Sequence, residues 1–148
     1  MSCKAAIYTA NTSPVTINLT AQQPTATLPL GTTVRRFGRS CCENILELSG
    51  NGILARESGY YDVDASVVMT PAAAGIYTVT LYQDGQPVQG ASQSVTATAG
   101  ATIAMNIPAI VRNLCDCGSS VLTLLVSTTA TLPATIVVNN IGIVVEKI

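Results

Sequence analysis

Residues 59–98 read GYYDVDASVVMTPAAAGIYTVTLYQDGQPVQGASQSVTAT. Tyr61, Val63, Ala65, Val67 and Met69 recur at every second position, with Asp62, Asp64 and Ser66 between them. Successive side chains of an extended strand point to opposite faces, so this run has one apolar face and one largely polar face. Pro71 and Gly75 interrupt the pattern, and Ala72, Ala73 and Ala74 make a small-residue connection. A second run then places Tyr77, Val79 and Leu81 on one side and Thr78, Thr80 and Tyr82 on the other. Asp84-Gly85 follows, and this dipeptide tolerates the positive φ that lets a tight hairpin match the twist of its strands. A third run occupies residues 94–98; β-branched residues dominate and no 3.6-residue period appears.

The same signals continue on both sides. Residues 4–10 (KAAIYTA) read as a first strand, residues 11–14 (NTSP) as a turn, and residues 15–19 as a second strand with Val15, Ile17 and Leu19 on one face. Residues 20–27 are polar around Pro24 and read as an irregular crossing; Thr32, Thr33 and Val34 then lead into Arg35 and Arg36. Residues 40–48 (SCCENILEL) carry a capping-box pattern, but Gly50 and Gly52 stop it too soon for a stable helix. Residues 44–48 therefore read as a strand, turning through residues 50–52 into residues 53–56. Further on, Ile103, Met105 and Ile107 alternate up to Pro108, which is expected to break or bend the strand, and residues 109–114 continue extended. Residues 121–126 (VLTLLV) read as a strand buried on both faces, and residues 136–138 and 141–145 as the last strand or strands around Asn139-Asn140.

About ten short strands with turn signals every 8–12 residues are the pattern of an all-β antiparallel sandwich or barrel. No linker divides the chain, so residues 1–148 read as one domain, with the N-terminal strands and the crossing segment in residues 1–40. The chain is 48% hydrophobic and 10% charged, against roughly 25% charged in ordinary soluble domains. Disorder goes with the opposite balance. No apolar run reaches the roughly 18 residues of a spanning helix, and the N-terminus has no apolar core of a secretory signal. The low charge therefore points to an oligomer that hides surface, not to a membrane protein. A net charge of −1 argues against a nucleic-acid partner.

Chemistry-bearing residues are few. There is no histidine, which removes the usual general base near neutral pH, the Ser-His and Cys-His nucleophile arrangements and most zinc sites. Asp62 and Asp64 share one strand face; they read as a solvated face, since a calcium site would need several more oxygen ligands. No enzyme activity and no cofactor are expected. The five cysteines, Cys3, Cys41, Cys42, Cys115 and Cys117, leave three readings open: reduced buried side chains, disulfides, or a thiolate metal site through Cys41, Cys42, Cys115 and Cys117. Neither pair has the usual C-x₂₋₄-C zinc spacing. Arg35, Arg36 and Arg39 form a short basic cluster that reads as a solvated loop, as pairing with Glu43 or Glu47 of a neighbouring subunit, or as a dock for an acidic partner such as a capsid surface. Tyr60, Tyr61, Tyr77 and Tyr82 read as lining the core or a subunit interface.

With the strands laid out, the order resembles the jelly roll of the C1q and tumour-necrosis-factor superfamily. The resemblance rests on the AIYTANTSP strand and turn, the Gly59-Tyr60-Tyr61 start of the central strand, the PAAAGIY segment and the Leu81-Tyr82-Gln83-Asp84-Gly85 hairpin. The Thr/Ala/Val-rich style is also similar to small structural proteins of tailed bacteriophages. The chain has one Phe and no Trp, and no collagen-like Gly-X-Y tract, unlike vertebrate C1q members. The resemblance implies a homotrimer packed through apolar sheet faces. It implies a non-enzymatic virion protein, made in the host bacterial cytoplasm, that decorates a head or forms the receptor-binding head of a fibre. Its partners would be a major capsid or other virion protein, and a host surface glycan if its loops bind sugar. A carbohydrate- or receptor-binding module of a bacterial surface or spore layer is the alternative.

Overall fold

The computed structural model describes residues 4–38, 45–113 and 118–148. Among them, twelve strands form two six-stranded antiparallel sheets packed as a jelly-roll sandwich. One sheet runs β10 (Ile103–Asn113), β7 (Gly59–Pro71), β12 (Ala134–Lys147), β1 (Ala6–Asn11), β4 (Thr32–Phe37), with β2 (Val15–Leu19) also on β12. The other runs β5 (Leu46–Ser49), β6 (Gly52–Ala55), β11 (Ser120–Thr128), β8 (Gly75–Gln83), β9 (Gln86–Ala97), with β3 (Thr25–Thr27) also on β11.

The alternation in β7 becomes a buried row, Tyr61, Val63, Ala65, Val67 and Met69, facing the second sheet, while Asp62, Asp64 and Ser66 face outward. β12 lies beside it at the centre of the sheet. Its first half pairs with β2, from Ala134 opposite Leu19 to Val138 opposite Val15. Its second half pairs with β1, from Ile141 opposite Asn11 to Glu146 opposite Ala6. Between the halves the register against β7 shifts by one residue at Asn139. This bulge reverses which parity faces inward, so Ile136 and Val138 on one side and Ile141, Ile143 and Val145 on the other all reach the core. The Asn139-Asn140 break in the pattern is thus one inserted residue within a continuous strand.

Two hairpins have the geometry their residues favour. Asp84 and Gly85 both have positive φ, 52° and 80°, as a type I′ turn requires between Gln83 and Gln86. Gly50, at φ 58°, opens the two-residue turn between Ser49 and Gly52.

Four expectations need correction. Pro108 neither breaks nor ends β10. It sits on an edge strand, and the Asn106 N–H two residues earlier points away from β7 to reach Gln93 Oε1 at 2.6 Å; the missing N–H of Pro108 therefore costs no ladder bond. β11 is buried on one face only: Leu122, Leu124 and Val126 face the core, whereas Val121 and Leu125 are half-buried outside it. Residues 25–27 form a short strand inside the segment read as irregular. The strand at residues 44–48 is β5, Leu46–Ser49, and residues 39–44 lie outside the described residues.

Two strands begin with the same device. Tyr61 and Tyr77 are fully buried, and each follows a glycine two positions earlier. Each hydroxyl donates to the carbonyl four residues back, Glu57 O and Ala73 O respectively, at 2.7 Å. The bond ties the incoming loop to the strand and satisfies a phenol that burial would otherwise leave unpaired. Thr9 shows the opposite: its hydroxyl is buried and has no hydrogen-bond partner among the described residues.

Tyr77→Phe removes the bond to Ala73 O and should lower the unfolding free energy by about 1–2 kcal/mol, read from urea midpoints. Thr9→Val keeps the shape and removes the unsatisfied hydroxyl, and should raise stability by about 1 kcal/mol in the same assay.

Candidate functional site

The register of the first sheet sets out its solvent face row by row. Phe37, Ala6, Glu146, Asp62 and Ile110 are successive cross-strand neighbours from β4 to β10. The next row is Arg35, Tyr8, Val144, Asp64 and Pro108. Beyond the first row, Tyr60 faces Arg112, whose guanidinium lies 5.3 Å from the Tyr60 ring centroid, and Ile148 bonds through its N–H to Tyr60 O. Of the eight large apolar or aromatic side chains exposed among the described residues, six belong to this face: Tyr8, Phe37, Tyr60, Ile110, Val144 and Ile148. The solvent face of the second sheet differs in degree. Thr78, Thr80, Thr123 and Ser94 lie on it beside Ile76, Tyr82, Val121 and Leu125, and Thr78 and Ser94 are hydrogen-bonded to each other at 2.7 Å.

In the middle of the first face is a shallow depression of about 200 Å³ lined by Tyr8, Asp64, Ser66, Asn106, Gly142 and Val144. Gly142 forms its floor; a Cβ there would stand 3.4 Å from Ser66 Oγ and 3.6 Å from Tyr8 Cε2. The depression exists because a residue without a side chain lies between a tyrosine and a serine on neighbouring strands.

The structure brings some of the residues singled out in the sequence together and not others. Asp62 and Asp64 do share the exposed face, and β12 adds Glu146 directly opposite Asp62. Like charges in that position repel. This third carboxylate is 84 residues away in the chain, and only the β7–β12 register reveals it. Arg35 and Arg36 lie on β4, which is exposed along its whole length: Arg35, opposite Tyr8, faces the same side as the acids, and Arg36, opposite Ile7, leaves the edge on the other. Arg39 and all five cysteines, Cys3, Cys41, Cys42, Cys115 and Cys117, lie outside the described residues. Among the described residues no group of three or more His, Cys, Asp or Glu side chains is arranged to hold a metal ion, and no helix is long and apolar enough to cross a membrane. Tyr61 and Tyr77 belong to the core, Tyr60 to the exposed face, and Tyr82 is half-buried.

No known protein family and no curated protein matches the sequence. Solved structures do match the fold. Murine APRIL superposes with a TM-score of 0.69 at 11% identity, over 98% of this chain and 99% of that one. PRD1 vertex protein P5 gives 0.57 at 16% identity, over 97% of this chain and 72% of that one. The Eiger TNF of S. frugiperda gives 0.54 at 11% identity, over 98% and 91%. The chain has a tumour-necrosis-factor/C1q-like jelly-roll fold, and a phage structural protein shares it.

One end of the face is braced from beneath by Glu57. Its carbonyl accepts from Tyr61 Oη and from Asn113 Nδ2 at 3.1 Å, and its carboxylate pairs with Lys147 Nζ at 2.9 Å. Burial, with the Glu57 charge adding to it, raises the Tyr61 pKa above its ordinary value near 10, while the bond to the Glu57 carbonyl works the other way. The phenol thus stays neutral in the folded chain at a pH where the unfolded chain has ionised. Its contribution to stability is intact below the unfolded value and is lost as pH rises through the folded one. Stability should therefore fall above about pH 10, and the fall should be shallower in Tyr61→Phe, measured as the slope of urea midpoints against pH.

Proposed function

We propose that the chain is a non-enzymatic structural protein of a virion, a homotrimeric jelly roll that decorates a head or forms the head of a fibre. The observation that carries this reading is the concentration of exposed apolar side chains on one sheet face. Scattered exposed apolar residues need no explanation, but six of the eight exposed among the described residues share one sheet face, interleaved with Asp62, Asp64 and Glu146, and such a concentration favours an interaction surface. The same face accounts for a chain that is only 10% charged: part of its surface is interface. Three copies is the stoichiometry that likeness to the C1q and tumour-necrosis-factor superfamily implies, and closed symmetric assemblies are the common form of self-association. The likeness to PRD1 vertex protein P5 supports the virion setting. The absence of histidine, and carboxylates that lie open to solvent on a broad sheet face, favour assembly over catalysis.

Native mass spectrometry tests the assembly. The expected species is three times the 15.3 kDa chain mass. Ile110→Asp puts a charge on one of the most exposed apolar side chains of the face and should raise the dissociation constant by roughly a hundredfold without unfolding the subunit. A folded chain that stays at its monomer mass at micromolar concentration refutes the reading. The virion setting is tested separately, by proteomic analysis of purified particles.

A further inference from the structure

The two edges of the first sheet are held in different ways. β10 is tied to the second sheet: its side chains Ile103, Met105, Ile107 and Val111 are buried. Two glutamine side chains from the second sheet also clasp it. Gln93 Oε1 accepts the Asn106 N–H at 2.6 Å, and Gln83 Nε2 donates to Arg112 O at 2.9 Å. β4 has none of this. All six of its residues are exposed, and none of their side chains forms a hydrogen bond or ion pair among the described residues. Even its apolar side chains stand in solvent, Val34 at 51% and Phe37 at 60% exposure. A strand that buries no side chain is held by its ladder to β1 alone.

That ladder is weak. Its register shifts between Tyr8 and Thr9, where Val34 is an extra residue on the β4 side. Its bonds lie at an open edge, where water competes for each donor and acceptor. The closed arrangement also strands a polar group. Thr33 stands directly opposite Thr9, whose hydroxyl is buried and has no hydrogen-bond partner among the described residues. Removing β4 opens the side of Thr9 to water and gives that hydroxyl a partner. The chain is jointed at both ends of the strand, by Gly31 at φ 80° and Gly38 at φ 100°. Glycine passes between backbone conformations closed to other residues, so the direction of the chain can change at both points. Outside these joints, Leu30 and Ile45 are buried and hold the flanking chain in the sandwich.

We infer that β4 is a strap that opens by itself: it swings away from β1 about Gly31 and Gly38 while the two sheets stay packed, and the stranded Thr9 hydroxyl sets how often it does so. The core is untouched by the movement, because β4 contributes no side chain to it. Opening bares one edge of β1 and leaves the other paired. The backbone groups of a strand alternate between its two neighbours. Ala5 O accepts the Lys147 N–H, so Ile7, Thr9 and Asn11 also turn their backbone groups to β12, and Ala6, Tyr8 and Ala10 turn theirs to β4. A single strand thus carries amides of two kinds in alternation. The opening is a property of the single subunit and does not rest on its assembly.

Amide hydrogen exchange on the folded chain, read residue by residue by NMR, tests this. Ala6, Tyr8 and Ala10 should exchange roughly a hundredfold faster than Ile7 and Thr9 in the same strand. Their rates should barely change in low urea, since opening exposes little surface. Met105 and Ile107, whose amides face β7 on the clasped edge, should stay as slow as Ile7 and Thr9. Thr9→Val removes the hydroxyl that favours the open state and should slow exchange at Ala6, Tyr8 and Ala10 about fivefold. Equal rates for the two sets of β1 amides overturn the inference, as does a urea dependence at Ala6, Tyr8 and Ala10 as steep as at Ile7 and Thr9. Either result means that β4 leaves only when the whole sandwich unfolds. Exchange at Met105 and Ile107 as fast as at Ala6, or rates at Ala6, Tyr8 and Ala10 unaltered by Thr9→Val, also overturns it.

Discussion

The pairing of β7 with β12 is the constraint on which the other features depend. It runs from Ile136 opposite Pro71 to Lys147 opposite Tyr61 and carries a single irregularity, at Asn139. Because side chains alternate with period two, a slip of one residue would turn every core residue of one strand to solvent. The bulge is the one place in this pairing where the register slips. It lets a strand whose two halves are out of phase in sequence present a continuous apolar row. The same register fixes what stands on the opposite face: Glu146 beside Asp62, Val144 beside Asp64, and Gly142 beside Ser66. Core and surface are two readings of one set of cross-strand neighbours.

That dependence explains what could be read from the sequence and what could not. Runs such as Tyr61 to Met69, and turns such as Asp84-Gly85, are local; they specify strands and hairpins wherever they occur, and they sufficed for the sandwich. Pairing between distant strands is not local. Nothing near Glu146 indicates that it will oppose Asp62, and nothing near Gly142 indicates a neighbouring Tyr8 ring. Pro108 read as a break because its effect depends on whether its strand is central or at an edge, which only topology decides. The run at residues 121–126 read as doubly buried because Val121 and Leu125 are apolar, although they face outward. The exposed face was foreseeable as a property of the whole chain, from its low charge, but not as a set of residues.

At 11–16% identity, the likeness to APRIL, PRD1 vertex protein P5 and Eiger is a likeness of path through space. Such folds host unrelated functions, so the surface has to carry any functional statement. Here the two sheet faces are unlike in degree: the outer face of the second sheet is rich in threonine and serine, whereas the first carries six of the eight large apolar or aromatic side chains exposed among the described residues. A molecule with two equivalent faces would offer no basis for choosing between them.

β12 is made after every other strand of the sandwich, yet it lies at the centre of a sheet. Ala6 finds Glu146 across nearly the whole chain, and β2 and β7 also wait for β12 before they have that neighbour. Partners so far apart pay the full entropy of loop closure before any bond rewards it, which makes folding slow for the size of the protein. During synthesis the apolar rows of β1, β2 and β7 stand uncovered on that side until β12 has left the ribosome. The sheet closes from the middle, and the nascent sandwich is at its most aggregation-prone just before β12 emerges.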